Sequence, residues 1–223
     1  MGAGWSVVLR AGFIFEFAGG NSHRSGAGAS GRGGWSNVWG IIFDNQGQPF
    51  LADASPGLNY YVSHTTSNSV FPKVTKYDNH RGRRDKVSFT PSGRRPSCGN
   101  EFLQSDHFPP ETRGWYVTNQ MKGWHGVRWY KLDESGSGVA ASQPYGEENE
   151  LLTATDIMFR PVAMQIGPDG ALYVLDFYNP IVGHTTYSFR DPRHIKTYGR
   201  VWRITHVRSI GSPTFWENRF PRC

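Results

Sequence analysis

The residues of this chain with the types for acid–base chemistry gather in its last third. They are Asp176, Asn179, His184, Arg190 and Asp191. An imidazole titrates near pH 6.5, so His184 suits a general base at neutral pH. Asp176 or Asp191 can orient that imidazole, as a third group orients the base of a triad. Arg190 can hold an oxyanion through its forked donors. Each residue also has a purely structural alternative. Asp176 directly follows a strand pattern, as Asp53 does, and such an Asp caps a turn by accepting backbone N–H groups. Arg190-Asp191-Pro192 reads equally as an ion pair and turn, and His184 as a structural hydrogen-bonding group.

A second group, Trp35, Asn37, Trp39, Asp53, Asn59 and Tyr60, mixes aromatic rings with amides and a carboxylate. Rings stack on the apolar faces of sugars while amides bond the hydroxyls, so the group suits a small-molecule sugar or alcohol. The alternative is that Trp35 and Trp39 pack between sheets. His125, beside Trp124, is a further candidate for substrate binding. No phosphate-cradling loop, nucleotide fingerprint or nucleophile elbow is present. The two cysteines, Cys98 and Cys223, form no CxxC or CxxCH motif, which argues against structural zinc and covalently attached haem. A Cys98–Cys223 disulfide stays open. There is no EF-hand-like calcium loop, and no metal ligand is assigned.

The elements that must position these groups are strands. Gly (27), Pro (14) and aromatic residues (14%) are abundant, a composition of short strands and turns. In residues 12–18 (GFIFEFA), Phe13, Phe15 and Phe17 recur at period 2. The Gly/Ser-rich stretch 19–34 reads as a flexible loop. Residues 41–53 (IIFDNQGQPFLAD) and 164–176 (MQIGPDGALYVLD) are copies of one unit: strand, turn ending in Gly, strand, Asp. Aligning Gly47 with Gly170 aligns Phe43 with Ile166 and Asp53 with Asp176. A degenerate copy runs from Gly114 through GWYVTN (114–119) and HGVRWYKL (125–132) to a polar turn at Asp133–Gly138. Such repeats build β-propellers. The expectation is an all-β domain over residues 1–206, a β-propeller of about three blades with long loops at 62–97 and 142–160. The last strand is at 199–205, and an unstructured tail covers 207–223. A short helix is expected at most at places such as Glu147–Thr155. Propellers close with about 4–8 blades, so the chain reads as roughly half a ring. It would be a piece of a longer protein, or would be closed by a homodimer partner or another chain.

The formal net charge is +6, concentrated at Arg81, Arg83, Arg84, Lys86, Arg94 and Arg95 and again at Arg190, Arg193, Lys196, Arg200 and Arg203. No nucleic-acid module motif accompanies these clusters. They read as solvated loops and sheet edges that discourage edge pairing, and no nucleic-acid partner is expected. No run approaches the ~20 apolar residues of a membrane helix, and no export signal is read at the N-terminus.

Five segments together resemble one family: GRGGWSNVWGIIFD (31–44), FLADASPGLNYY (50–61), GNEFLQSDHFP (99–109), FRPVAMQIGPDGALYVLDFYNPIVGH (159–184) and FRDPRHIKTYGRVWRI (189–204). They resemble the C-terminal half of the propeller domain in the membrane-bound dehydrogenases of planctomycete and verrucomicrobial bacteria. That domain is similar in fold to soluble quinoprotein glucose dehydrogenases. The resemblance implies a six-bladed parent, periplasmic or exported. It implies oxidation of a sugar or alcohol hydroxyl at the mouth of the central channel, with PQQ and calcium as cofactors. In that setting His184 takes the hydroxyl proton and Arg190 holds the acidic quinone. Ile41 stands where relatives carry His, and PRHIKTYGR follows Asp191 where they are richer in Asp and His. Both departures thin the polar inventory. Two other readings stay open: a non-catalytic propeller binding carbohydrate or a protein, and a truncated, inactive reading frame.

Overall fold

The computed structural model describes residues 5–9, 13–17, 38–55, 57–61, 88–91, 97–136, 138–146, 149–182, 188, 190–197 and 199–206. Trp35, Asn37, His184, Cys223, the 19–34 stretch, the 207–223 tail and most of the 62–97 loop lie outside them. The described elements are β-strands and one 3-10 turn, Pro110–Thr112; no α-helix occurs among the described residues. The fold is all-β.

The chain forms two units: residues 1–98 with 133–142, and residues 99–132 with 143–223. In the first, β1 (Trp5–Leu9) and β2 (Phe13–Phe17) make an antiparallel hairpin, so the period-2 Phe run is a strand. β3 (Val38–Phe43), β4 (Pro49–Asp53) and β5 (Leu58–Tyr61) form an antiparallel meander. Asp44 holds the β3–β4 turn, its Oδ1 accepting the amides of Gln46 (2.9 Å) and Gln48 (2.8 Å). The Phe50 ring packs against Tyr61 and Phe89.

A second sheet has β6 (Ser97–Phe102), β7 (Tyr116–Lys122), β8 (Trp124–Ser135) and β10 (Leu152–Thr153), with β9 (Gly138–Ser142) also on β8. The expected break between residues 119 and 125 is narrower than the sequence suggests. β7 continues to Lys122 and reverses at Gly123, whose φ is +82°. The 147–155 stretch is not helical where it is described. Leu151 is buried in the core, and Leu152 and Thr153 pair with Val127 and Gly126 as a further strand. An extended backbone there satisfies the free edge of β8, which a helix would leave open.

The third sheet is β11 (Pro161–Ile166), β12 (Leu172–Asp176) and β13 (Arg200–Ile204), again an antiparallel meander. The three larger sheets share one order: strand, turn glycine, strand, strand. The turn glycines Gly47, Gly114 and Gly170 have φ of +78°, +78° and +81°, so the repeat read from the sequence is a repeat of backbone conformation.

In the second unit, the second and third modules pack face to face. Trp115, Val117, Val127 and Trp129 from β7, β8 and the preceding turn meet Met164, Leu172, Val174 and Ile204, with Leu103, Phe108, Leu151 and Phe159 closing the core. Cross-strand partners share a face, so Met164–Val174–Trp202 and Ile166–Leu172–Ile204 point into this core.

Gly170 gives a test of the turn. A Cβ there would lie 2.8 Å from His107 Cδ2 and 2.9 Å from Ser105 Oγ, whereas a Cβ at Gly114 meets open space. Both alanine variants should lose about 1–2 kcal/mol for the left-handed backbone, and Gly170→Ala should lose more. Urea midpoints of the two variants check this; equal losses would mean the 105–107 segment yields freely.

Candidate functional site

The geometry is built around the end of β12. Asp176 closes that strand, and its carboxylate is buried. Oδ1 accepts the amides of Arg160 (2.8 Å) and Tyr178 (2.8 Å), and Oδ2 accepts Arg200 Nε (2.7 Å) and Trp202 Nε1 (3.0 Å). The turn-capping role therefore occupies this carboxylate fully. Tyr178 carries φ +47°, the one left-handed non-glycine among the described residues. The Arg200 guanidinium stacks 3.8 Å from the Tyr178 ring centre and 4.8 Å from that of Trp202.

Asn179 is 1% exposed, and its amide is fixed on Ile195: Nδ2 donates to Ile195 O (2.8 Å) and Oδ1 accepts Ile195 N (3.1 Å). The same Oδ1 lies 3.1 Å from His194 Nδ1. An amide oxygen only accepts, so His194 carries its proton on Nδ1. His194 Nε2 is buried and has no hydrogen-bond partner.

Arg160 ties this corner to β7. Its guanidinium donates to the carbonyls of Asn179 (2.9 Å), Pro180 (2.9 Å) and Met121 (2.8 Å), and to His125 Nε2. Arginine has no acceptor, so His125 Nε2 is the unprotonated nitrogen. Burial, and then the Arg160 charge, hold the His125 pKa below its ordinary value, against Asp156, whose backbone bond and charge pull it up. His125 is thus held neutral with its lone pair engaged.

Arg190 and Asp191 are neighbours that do not pair. Asp191 is gripped by Arg193, Nε to Oδ1 at 3.0 Å and Nη2 to Oδ2 at 2.7 Å, which holds its carboxyl well below the usual range. Arg190 is exposed, its amide donating to Ser188 Oγ at 3.1 Å. In the first unit, Asp53 and Asn59 are buried, Tyr60 is half-buried and Trp39 is 49% exposed. Asn59 Nδ2 donates to Thr90 Oγ1 at 2.8 Å.

The structure therefore brings Asn179 and His125 to one corner through Arg160, and adds His194. Neither Arg160 nor His194 stood out in the sequence. A second buried cation was also missed. Arg128 donates Nε to Gln120 Oε1 (3.0 Å) and Nη1 to Glu150, beneath the Trp124 ring at 4.2 Å. The available signal was an arginine inside an apolar strand, VRWY for Arg128, and beside one, FRPV for Arg160. Cys98 is buried, which pushes its thiol up to about 12 and leaves it no nucleophile.

Repeated meander sheets, buried arginines and a polar corner at a strand end define an all-β repeat protein. Residues 23–208 match the model of a family described as a domain of unknown function, DUF7133, and the chain belongs to that family. No curated protein and no solved structure matches it.

Two outcomes follow. Arg160→Met strips the donors from three backbone carbonyls and should cost on the order of 3 kcal/mol in chemical denaturation. The His125 pKa is lower in the folded chain, so the unfolded chain binds more protons. Stability should fall as pH drops from about 6.5 toward the folded pKa. Melting curves of His125→Gln should be flatter over that window; a variant that tracks the parent sinks this assignment.

Proposed function

We propose that the chain is part of a β-propeller that oxidises a hydroxyl group of a sugar or alcohol, the hydride passing to a quinone and the hydroxyl proton to a histidine, of which His194 is the described candidate. The propeller reading rests on three meander modules with one turn-glycine signature, two of them stacked face to face. The chemical reading rests on the family resemblance and on one observation: Asn179 fixes His194 through Nδ1, leaving Nε2 buried without a hydrogen-bond partner. An orienting group on the far nitrogen is one of the two things a general base needs; reach to the substrate hydroxyl is the other, and the test below reads it. His184, the base expected from the sequence, lies outside the described residues.

The resemblance implies a quinone and calcium. Among the described residues no three His, Cys, Asp or Glu side chains converge. The Asp176 carboxylate already accepts from four groups, and that of Asp191 is gripped by Arg193. These residues do not fit a calcium ion. Arg190 is exposed, so its guanidinium is open to an anionic ligand.

A second reading, a propeller that binds carbohydrate without chemistry, is favoured by the same saturation: Asp176, Asn179 and Asp191 are all held in structural bonds. No described helix is long and apolar enough to cross a membrane.

The test is reduction of a dye acceptor by a sugar and alcohol panel, with and without added quinone and calcium. The redox reading expects turnover that falls about 10²-fold or more in His194→Gln. Sugar binding by calorimetry with no dye reduction under any condition would favour the binding module instead.

A further inference from the structure

One amide in the second unit is fully enclosed with none of its bonds made. Asn119 lies in β7, two residues from Val117 and so on the same face, the face that packs on the third module. It is 0% exposed, and neither Nδ2 nor Oδ1 has a hydrogen-bond partner in the protein. A buried amide left unmet forfeits its hydration for nothing, and such groups are rare in folded proteins. The repeat shows that the strand itself does not call for an amide. The fifth residue after each turn glycine is Ala52 in the first module, Asn119 in the second and Leu175 in the third.

The surroundings of this amide are mostly backbone. A Cβ built on Gly99 of β6 would stand 3.1 Å from Asn119 Nδ2, 3.3 Å from Val162 O and 3.0 Å from Ala163 Cα. The glycine thus lies beneath a small space walled by the amide and one carbonyl. Val162 is the extra residue of a bulge, because the β11–β12 register shifts between Pro161 and Ala163. An extra residue stands outside the regular ladder, which leaves its carbonyl to serve another group.

We propose that a single resident water bridges Asn119 and Val162 over Gly99. It accepts a hydrogen bond from Asn119 Nδ2, donates one to Val162 O and gives its second hydrogen to Asn119 Oδ1. Three bonds are the usual complement of a buried water. The ligand must both donate and accept, since the amide does both and the carbonyl only accepts. It must also be small, since a Cβ there already crowds the Ala163 backbone. The water joins β7 of the second module to the start of β11 in the third. Arg160, immediately before β11, donates to the carbonyl of Met121, two residues beyond Asn119 on β7. Water and guanidinium so hold the first residues of β11 to β7 at neighbouring points. This inference rests on the fold and stands whichever function the polar corner performs.

Water–protein contacts in nuclear magnetic resonance of the full chain test it. Rotating-frame cross-peaks with the sign of a long-lived dipolar contact should join water to the Asn119 side-chain amide protons and to the Ala163 Hα. Asn119→Leu matches the residue type at this position of the third module, so it should keep the far-ultraviolet circular dichroism of the parent. It should lose the water contact at Ala163. A parent chain with no water contact at either group overturns the proposal, whether or not the variant folds. A contact at Ala163 that survives Asn119→Leu in full overturns it too, because the backbone alone would then hold the water.

Discussion

Four donors converge on the Asp176 carboxylate, and much of the second unit's order at the end of β12 depends on them. Two are backbone amides that bring in the segments on either side, at Arg160 and Tyr178. Two are side chains of β13. A buried carboxylate is costly unless its lone pairs are met. Here meeting them fixes the strand end, the third strand and the left-handed corner at Tyr178 together. That corner then presents the carbonyls of Asn179 and Pro180 to Arg160, and the Asn179 amide to the 194–195 backbone and imidazole. The polar corner is thus a by-product of a structural solution, and His194 is what that solution leaves unspent.

The buried arginines work by a related rule. Arg128 is neutralised by Glu150, and Arg160 chiefly by backbone carbonyl dipoles. A guanidinium spreads its charge over five donors, which suits it to both tasks better than a lysine ammonium. Each also crosses between segments far apart in sequence, Arg128 to Glu150 and Arg160 to Met121. They therefore constrain register where apolar packing alone tolerates sliding.

Strands and turns were legible because their causes are local. Alternating Phe residues in β2, the Asp44 and Asp169 turns, and the glycine after each turn carry period and φ in the residue types themselves. Even the degenerate copy kept its glycine at 114. The corner was only half legible. Asp176 was legible as a turn-capping carboxylate after a strand, but not that Arg200 and Trp202 would take its other oxygen, nor that the Asn179 amide would be consumed within the fold. Arg160 and His194 were invisible because their partners are carbonyls and an amide supplied by distant backbone, which leaves no mark in the neighbouring sequence. The 147–155 stretch misled for a similar reason: the unpaired edge of β8 that draws Leu152 into a strand is not next to it in the chain.

The sixth position after the turn glycine holds Asp176 in one module and Gln120 in another, and each accepts from the equivalent third-strand residue, Trp202 or Arg128. An indole matched with a carboxylate and a guanidinium matched with an amide are two solutions to one contact. Within this chain, then, duplicated units have diverged by paired change rather than residue by residue. Recombination that exchanged a second strand without its third would join an amide to an indole in one product and a carboxylate to a guanidinium in the other. The heritable unit of this architecture is the strand pair, and a library of chimaeras should respect that boundary.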